Sequence, residues 1–103
     1  MLYNLKFPEC KEANYVEWWA HCRPHCDGHQ LHFDSDNEGK GEVRNPIVSS
    51  VIYLTSSGVG GPTLVTTQKL RDSSLPANGC LITPKENQIG FFDGSLLHGV
   101  IPV

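Results

Sequence analysis

Glycine and proline interrupt this chain repeatedly and fall between short apolar runs. Ten glycines and seven prolines are spread through 103 residues and separate short apolar runs. Both residue types disfavour the interior of a helix or strand, so they mark the turns between elements. About seven short strands at spacings near ten residues are typical of a sandwich or jelly roll. The sequence therefore predicts an all-β fold.

The apolar runs define the predicted strands. Residues 46–55 form the clearest one, because the run is rich in β-branched side chains and carries no charge. The pair Asp93-Gly94 is a strong hairpin signal. Residues 69–78 read as a polar connection with room for one helical turn. Strands are predicted at residues 15–20, 28–34, 46–55, 63–67, 80–83, 88–92 and 95–103.

A histidine and an aspartate lie two positions apart in the second predicted strand. His32 and Asp34 are separated by Phe33. Side chains at positions i and i+2 of a strand share a face, so the two polar groups are expected to project together. Gln30 is expected on that same face. A rigid strand would in this way offer two adjacent metal ligands.

A third ligand is expected from a neighbouring strand. His98 is the only histidine in the second half of the chain, and it stands in an apolar run where it has no obvious packing purpose. Two histidines and one carboxylate on one face of an octahedral ion leave three coordination positions open. That facial arrangement is the signature of non-haem iron(II) oxygenases. We therefore predict His32, Asp34 and His98 as metal ligands and catalytic residues.

Four pieces of the chain, in the right order, resemble the 2-oxoglutarate/iron(II) dioxygenases of the prolyl-hydroxylase-like branch. That family carries H-x-D on the second strand of a double-stranded β-helix, a form of jelly roll, and a histidine on the seventh. His32-Phe33-Asp34 and the stretch LLHGVIP around His98 match these two pieces. GGPT, which ends at Thr63, resembles the start of the fourth strand, and FFDGS resembles the approach to the distal histidine.

The resemblance implies an oxidative reaction. The cofactors would be Fe(II) and 2-oxoglutarate as co-substrate, with dioxygen as the other reactant. 2-Oxoglutarate would be converted to succinate and carbon dioxide while an unknown substrate is hydroxylated. Tyr53 and Thr63 are candidates to hydrogen-bond 2-oxoglutarate, although for each an ordinary strand hydroxyl with a structural partner is the more common case.

One feature departs from the family pattern. The family usually supplies an Arg or Lys, on the strand after the distal histidine, to pair with the far carboxylate of 2-oxoglutarate. The sequence stops five residues after His98, before that position. Arg44 and Lys69 are more simply explained as solvated surface residues. We therefore expect one dioxygenase-like domain over residues 1–103 that is incomplete at its C-terminus. Such a domain would have unpaired strand edges and would bind metal without turnover.

Charge and composition set the expected partners. Eight basic and eleven acidic residues give a net charge of −3, which argues against nucleic acid as a partner. No apolar run is long enough to cross a membrane, so no membrane partner is expected. The first ten residues lack the features of a secretory signal, so a cytoplasmic location is the expectation. In that reducing compartment the four cysteines are expected to be free thiols.

Two alternatives stay open. The segment of residues 21–29 is dense in histidine and cysteine and could form a zinc-binding module, although structural zinc sites usually draw ligand pairs from separate segments. A cupin-like binding jelly roll without catalysis is the second alternative. In that case His32, Asp34 and His98 would be unrelated polar residues.

Overall fold

The part of the chain that the structure describes forms two antiparallel β-sheets with almost no helix. The computed structural model describes residues 11–22, 27–36, 40–55 and 60–103. Within these residues the strands are β1 (His29–His32), β2 (Val48–Ile52), β3 (Thr63–Thr66), β4 (Gly79–Ile82), β5 (Ile89–Asp93) and β6 (His98–Val100). The prediction of an all-β fold is confirmed. No helix in the described ranges is long and apolar enough to cross a membrane.

The chain passes repeatedly between the two sheets. Sheet A contains four strands in the order β1-β6-β3-β4, and sheet B pairs β2 with β5. Every pairing is antiparallel. Strands distant in sequence therefore become neighbours, and β6 lies between β1 and β3 near the middle of sheet A.

Six of the seven predicted strand segments coincide with an observed strand, and the first contains none. β1, β2, β3 and β6 are shorter than predicted, whereas β4 and β5 have the predicted length and are displaced by one residue. Residues 15–20 are exposed and belong to no strand. Their aromatic side chains have high β-propensity, but propensity reflects packing against a neighbouring strand, and the structure gives this segment none. Tyr15 and Trp18 are among its most exposed side chains.

The prediction of a hairpin at Asp93-Gly94 is also wrong, because the strands on either side of this turn do not pair with each other. The chain does turn at Gly94, and the Asp93 carboxylate accepts hydrogen bonds from the backbone and hydroxyl of Ser95. The flanking strands do not pair, because β5 joins β2 in sheet B while β6 lies in sheet A. The turn carries the chain from one sheet to the other.

The buried centre lies between the inner faces of the sheets. In sheet A, His98 stands opposite both His32 and Val65, so these three side chains share the inner face. In sheet B, Phe92 stands opposite Ser49, and its ring centroid is 4.8 Å from that of His98. Val65 and Phe92 are the buried apolar side chains of the described ranges. The core is small, and His98 is part of it.

A close backbone approach explains one glycine of the GGPT segment. A Cβ built on Gly61 would lie 1.7 Å from the carbonyl oxygen of Ile101, which only glycine avoids. The adjacent Pro62 carbonyl accepts a hydrogen bond of 3.0 Å from the Ile101 amide. Gly61 thus lets the beginning of β3 lie against the residues that follow β6.

Candidate metal centre

The side chains of His32 and Asp34 converge with that of the distant His98 where β1 pairs with β6. The Nε2 atom of His32 is 3.3 Å from Oδ1 of Asp34, and Nε2 of His98 is 3.4 Å from the same oxygen. The possible ligand atoms of all three residues lie within 4.8 Å of one another. Pairing of β1 with β6 sets His32 opposite His98, and Asp34 follows two residues after β1 ends. This group could hold a metal ion.

The backbone fixes which nitrogen of each imidazole faces the carboxylate. Nδ1 of His32 is 2.9 Å from the Gln30 carbonyl oxygen. Nδ1 of His98 is likewise 2.8 Å from the carbonyl oxygen of Leu96. A carbonyl only accepts hydrogen bonds, so Nδ1 must carry the hydrogen in both rings. In the neutral rings, both Nε2 lone pairs then point toward Asp34.

The close approach of Nε2 of His32 and of His98 to Oδ1 of Asp34 requires a positive charge between these atoms. Two nitrogen lone pairs facing one carboxylate oxygen would repel it unless a proton or a cation lies between them. A histidine that binds a metal through one ring nitrogen usually donates a hydrogen bond from its other ring N–H, often to a backbone carbonyl. The orientation of His32 and His98 therefore fits metal ligation, with Asp34 supplying the negative charge.

Asp34 is itself held in place by two neighbours. Its second oxygen, Oδ2, accepts a hydrogen bond of 2.6 Å from the hydroxyl of Ser49 on β2. The Asn45 side-chain amide donates to the Asp34 backbone carbonyl at 2.7 Å. Sequence reasoning identified neither residue, because contacts between the two sheets leave no short-range pattern in the sequence. Ser49 fixes the carboxylate so that Oδ1 faces the two imidazoles.

The electrostatics of the metal-free site follow from this geometry. Burial alone would raise the pKa of Asp34, but hydrogen bonds with His98 and Ser49, helped by positive charge on the imidazoles, lower it from 3.8 to about 2. Burial alone would lower the pKa of His98. The hydrogen bonds with the Asp34 carboxylate and the Leu96 carbonyl outweigh that effect and raise this pKa above its ordinary value of 6.5. In the absence of metal, a proton on His98 stabilises the group.

Access to the site is one-sided. The exposed fraction of the side chain is 9% for His98 and 15% for Asp34, but 30% for His32. Phe92 covers one side of the His98 ring. A small ligand could therefore reach the ligand atoms from the His32 side, while the opposite side is closed by the core.

A bulge in β1 changes which residue lies beside His32. The register shifts between His29 and His32, which oppose Val100 and His98. Two residues of β1, Gln30 and Leu31, therefore stand against the single residue Gly99 of β6. The ring centroids of His29 and His32 lie 4.4 Å apart. Gln30 is exposed, so the expectation that Gln30 shares the His32 face is wrong. Local irregularity of this kind breaks the alternation on which that expectation rested.

The two residues predicted to bind 2-oxoglutarate meet each other. The hydroxyl groups of Tyr53 and Thr63 are 2.9 Å apart and connect the end of β2 to the start of β3. Thr63 is buried, and it shares the inner face of sheet A with Val65 and His98. The two hydroxyls thus have structural partners and lie on the same inner face as the metal group.

The predicted surface cations do lie at the surface. Arg44 pairs with Asp36 at 2.6 Å, and its side chain is 80% exposed. Lys69 is also exposed. Burial alone would raise the pKa of Asp93, but the hydrogen bonds from Ser95 and then the positive charge of Lys69 lower it.

The histidine- and cysteine-rich segment is described only in part. Cys22 and Cys80 are exposed free thiols. Cys10, His25 and Cys26 lie outside the described residues. Among the residues that the structure describes, the one group of three or more potential ligands that could hold a metal is His32, Asp34 and His98.

Comparison with known proteins does not assign the chain to a family. No protein-family model matches it, and neither the curated proteins nor the solved structures include a match. Function must therefore be argued from the geometry.

Proposed function

We propose that this chain is an Fe(II)- and 2-oxoglutarate-dependent dioxygenase domain with His32, Asp34 and His98 as its iron ligands. The observation that carries the proposal is the convergence of two Nε2 atoms and one carboxylate oxygen, with each Nδ1 engaged by a backbone carbonyl. A two-histidine, one-carboxylate set leaves coordination positions open for a chelating co-substrate and dioxygen. A structural zinc site would normally offer four protein ligands instead.

The strand order supports a double-stranded β-helix. If β1 is the second strand of that fold, β3 the fourth and β6 the seventh, then β2, β4 and β5 are the third, fifth and sixth. The H-x-D residues then belong to the second strand and the distal histidine to the seventh, as in the family. The antiparallel pairing of β1 with β6 brings these two strands together, as a shared metal site requires.

Each residue of the site has a separate task in this proposal. His32 and His98 would donate neutral nitrogens whose direction the backbone has already fixed. Asp34 would balance part of the metal charge, and Ser49 would keep its Oδ1 directed at the ion. Bound Fe(II) would supply the activation of dioxygen that is coupled to decarboxylation of 2-oxoglutarate.

Further residues are suited to hold the co-substrate and limit water. The hydroxyls of Tyr53 and Thr63 could donate hydrogen bonds to a carboxylate of 2-oxoglutarate in place of their mutual contact. Phe92 keeps water from one side of His98. The substrate to be hydroxylated would approach from the more exposed His32 side.

The proposal is tested by Mn(II) binding, followed by electron paramagnetic resonance. Mn(II) is a redox-silent stand-in for Fe(II). We expect one site whose spectrum changes when 2-oxoglutarate is added. His98→Ala should abolish it. His29→Ala is the matched control, since its ring lies 4.4 Å from that of His32 but is not in the ligand group, and it should keep the site.

Two results would replace this proposal. A Mn(II) site whose spectrum ignores 2-oxoglutarate would indicate a metal-binding jelly roll without this chemistry. Absence of a Mn(II) site, together with Zn(II) binding that is lost in Cys22→Ala, would favour the zinc module. Turnover is tested separately, by measuring succinate formation by the chain loaded with Fe(II). Succinate should form with the unsubstituted chain and not with His98→Ala.

A further inference from the structure

A row of aromatic and imidazole rings leads from the surface to the candidate metal centre. Next to His32 lies His29, and their ring centroids are 4.4 Å apart. The row continues with His21, 5.8 Å from His29, and ends at Trp19, 6.2 Å from His21. His29 is half-buried and His21 is exposed. Two imidazoles outside the first ligand group therefore lie together on the open side of the site.

The bulge in β1 places His29 in this row. In a regular strand, residues three positions apart project from opposite faces. The register shift between His29 and His32 removes that alternation, so their rings lie side by side. Bulges that redirect a side chain are frequent next to functional sites. Gly28 also lets this end of β1 lie close to β6, since a Cβ built there would be 2.7 Å from the Val100 carbonyl oxygen.

The spacing of His21 and His29 suits a metal ion held between them. An imidazole nitrogen binds an ion such as Zn(II) at about 2.0–2.1 Å, which puts each ring centroid about 3.2 Å from the ion. Two rings on one ion are then at most about 6.4 Å apart, and the observed 5.8 Å lies within that limit. His21 belongs to no strand, whereas His29 begins β1. The two ligands would thus come from two separate segments of the chain.

We propose that His21 and His29 form a second metal site, for an ion that prefers imidazole ligands such as Cu(II) or Zn(II). Both ions bind nitrogen ligands more tightly than Mn(II) does, so Mn(II) would fill only the group of His32, Asp34 and His98. Water would complete the coordination on the exposed side of His21. The second site uses different residues from the first, and it does not depend on the dioxygenase function proposed above.

Trp19 is a natural reporter for this site. Its ring neighbours that of His21, so a paramagnetic Cu(II) ion bound there should quench the fluorescence of Trp19. The chain contains two tryptophans, and Trp18→Phe leaves Trp19 as the only one. Serine replaces the four cysteines in the same chain, because thiols bind and reduce copper. Titration of this reporter chain with Cu(II) should give saturable quenching.

Substitution of each proposed ligand tests the assignment. Loss of a ligand should weaken Cu(II) binding at least as much as loss of a residue that only orients one, which costs roughly 10- to 100-fold. We therefore expect His21→Ala and His29→Ala each to raise the Cu(II) concentration for half-maximal quenching by that factor or more. His98→Ala is the matched control, because it removes a histidine of the first group, and it should keep the quenching. Circular dichroism checks that each variant is folded.

Three results would overturn the second site. They are the absence of saturable quenching in the reporter chain, quenching that either His21→Ala or His29→Ala leaves unchanged, and quenching that a folded His98→Ala chain has lost. Mn(II) binding, followed by electron paramagnetic resonance, is scored separately and should be unchanged in His21→Ala. Failure of the second site is thereby distinguished from failure of the first.

Discussion

The hydroxyl of Ser49 donates a hydrogen bond of 2.6 Å to Oδ2 of Asp34, so that the other carboxylate oxygen is left to face two imidazoles. Ser49 belongs to sheet B, whereas His32 and His98 belong to sheet A. One contact thus fixes the only acidic member of the candidate metal group and also joins the two sheets. The geometry of the site depends on how the sheets pack.

We expect Ser49→Ala to weaken metal binding without unfolding the chain. Loss of a residue that orients a metal ligand usually costs roughly 10- to 100-fold in affinity. The Kd for Mn(II), measured by electron paramagnetic resonance, should rise by that factor. Ser50→Ala is the matched control, because Ser50 is exposed on the opposite face of the same strand. Equal Kd values for the two variants would show that Ser49 does not orient Asp34.

The sequence was sufficient to select the three potential ligands. The spacing of His32 and Asp34 indicated a shared direction, and His98 stood out as a lone imidazole in an apolar run. The structure brings all three together. Their roles as iron ligands in catalysis stay predictions.

The residues that orient those ligands could not be predicted. The Ser49 contact spans fifteen positions in sequence and depends on sheet packing. The bulge that places His29 beside His32 depends on the pairing of β1 with β6. The prediction of a strand at residues 15–20 is wrong for a related reason. Their side chains have high β-propensity, but a strand also needs a partner strand, and this segment has none. Local patterns identify residue types, while long-range pairing determines their neighbours.

The stability of the metal-free chain should depend on pH in two directions. The pKa of Asp34 is lowered from 3.8 to about 2, so its contribution is present above pH 3.8 and is lost as the pH falls toward 2. The pKa of His98 is raised above 6.5, so its contribution is full below pH 6.5 and is lost as the pH rises through the folded-state value. The site therefore stabilises the fold most between these limits.

Thermal unfolding with a chelator present, measured by circular dichroism across pH, tests this expectation. Asp34→Asn should flatten both slopes, because it removes the carboxylate on which both pKa shifts depend. Asp93→Asn serves as the control, since Asp93 also has a lowered pKa but does not contact His98. It should change only the acid side. A wild-type profile that Asp34→Asn leaves unaltered would contradict the assignment.

Two adjacent phenylalanines should differ sharply in their effect on stability. Phe92 is buried against the His98 ring, while Phe91 is 41% exposed on the other face of β5. Phe92→Ala should cost about 3 kcal/mol of unfolding free energy, and Phe91→Ala less than about 1 kcal/mol. Urea denaturation measures both. A cost for Phe91→Ala that matched or exceeded that of Phe92→Ala would place the core elsewhere.

Tyr53→Phe should separate co-substrate binding from metal binding. The hydroxyl of Tyr53 lies 2.9 Å from that of Thr63 on the inner face, where it could donate to a carboxylate of 2-oxoglutarate. Loss of one hydrogen bond of about 1 kcal/mol corresponds to roughly a fivefold rise in Kd. We expect that rise for 2-oxoglutarate, measured through its effect on the Mn(II) spectrum, with an unchanged Kd for Mn(II) itself.

Tyr15→Phe is the control for this last change, because Tyr15 is 91% exposed and lies in no strand. It should alter neither constant. If Tyr53→Phe weakens Mn(II) binding as much as 2-oxoglutarate binding, the hydroxyl pair acts on the fold around the metal group. If it changes neither, the Tyr53–Thr63 pair is purely structural, and the co-substrate must be held by other groups on the more open His32 side.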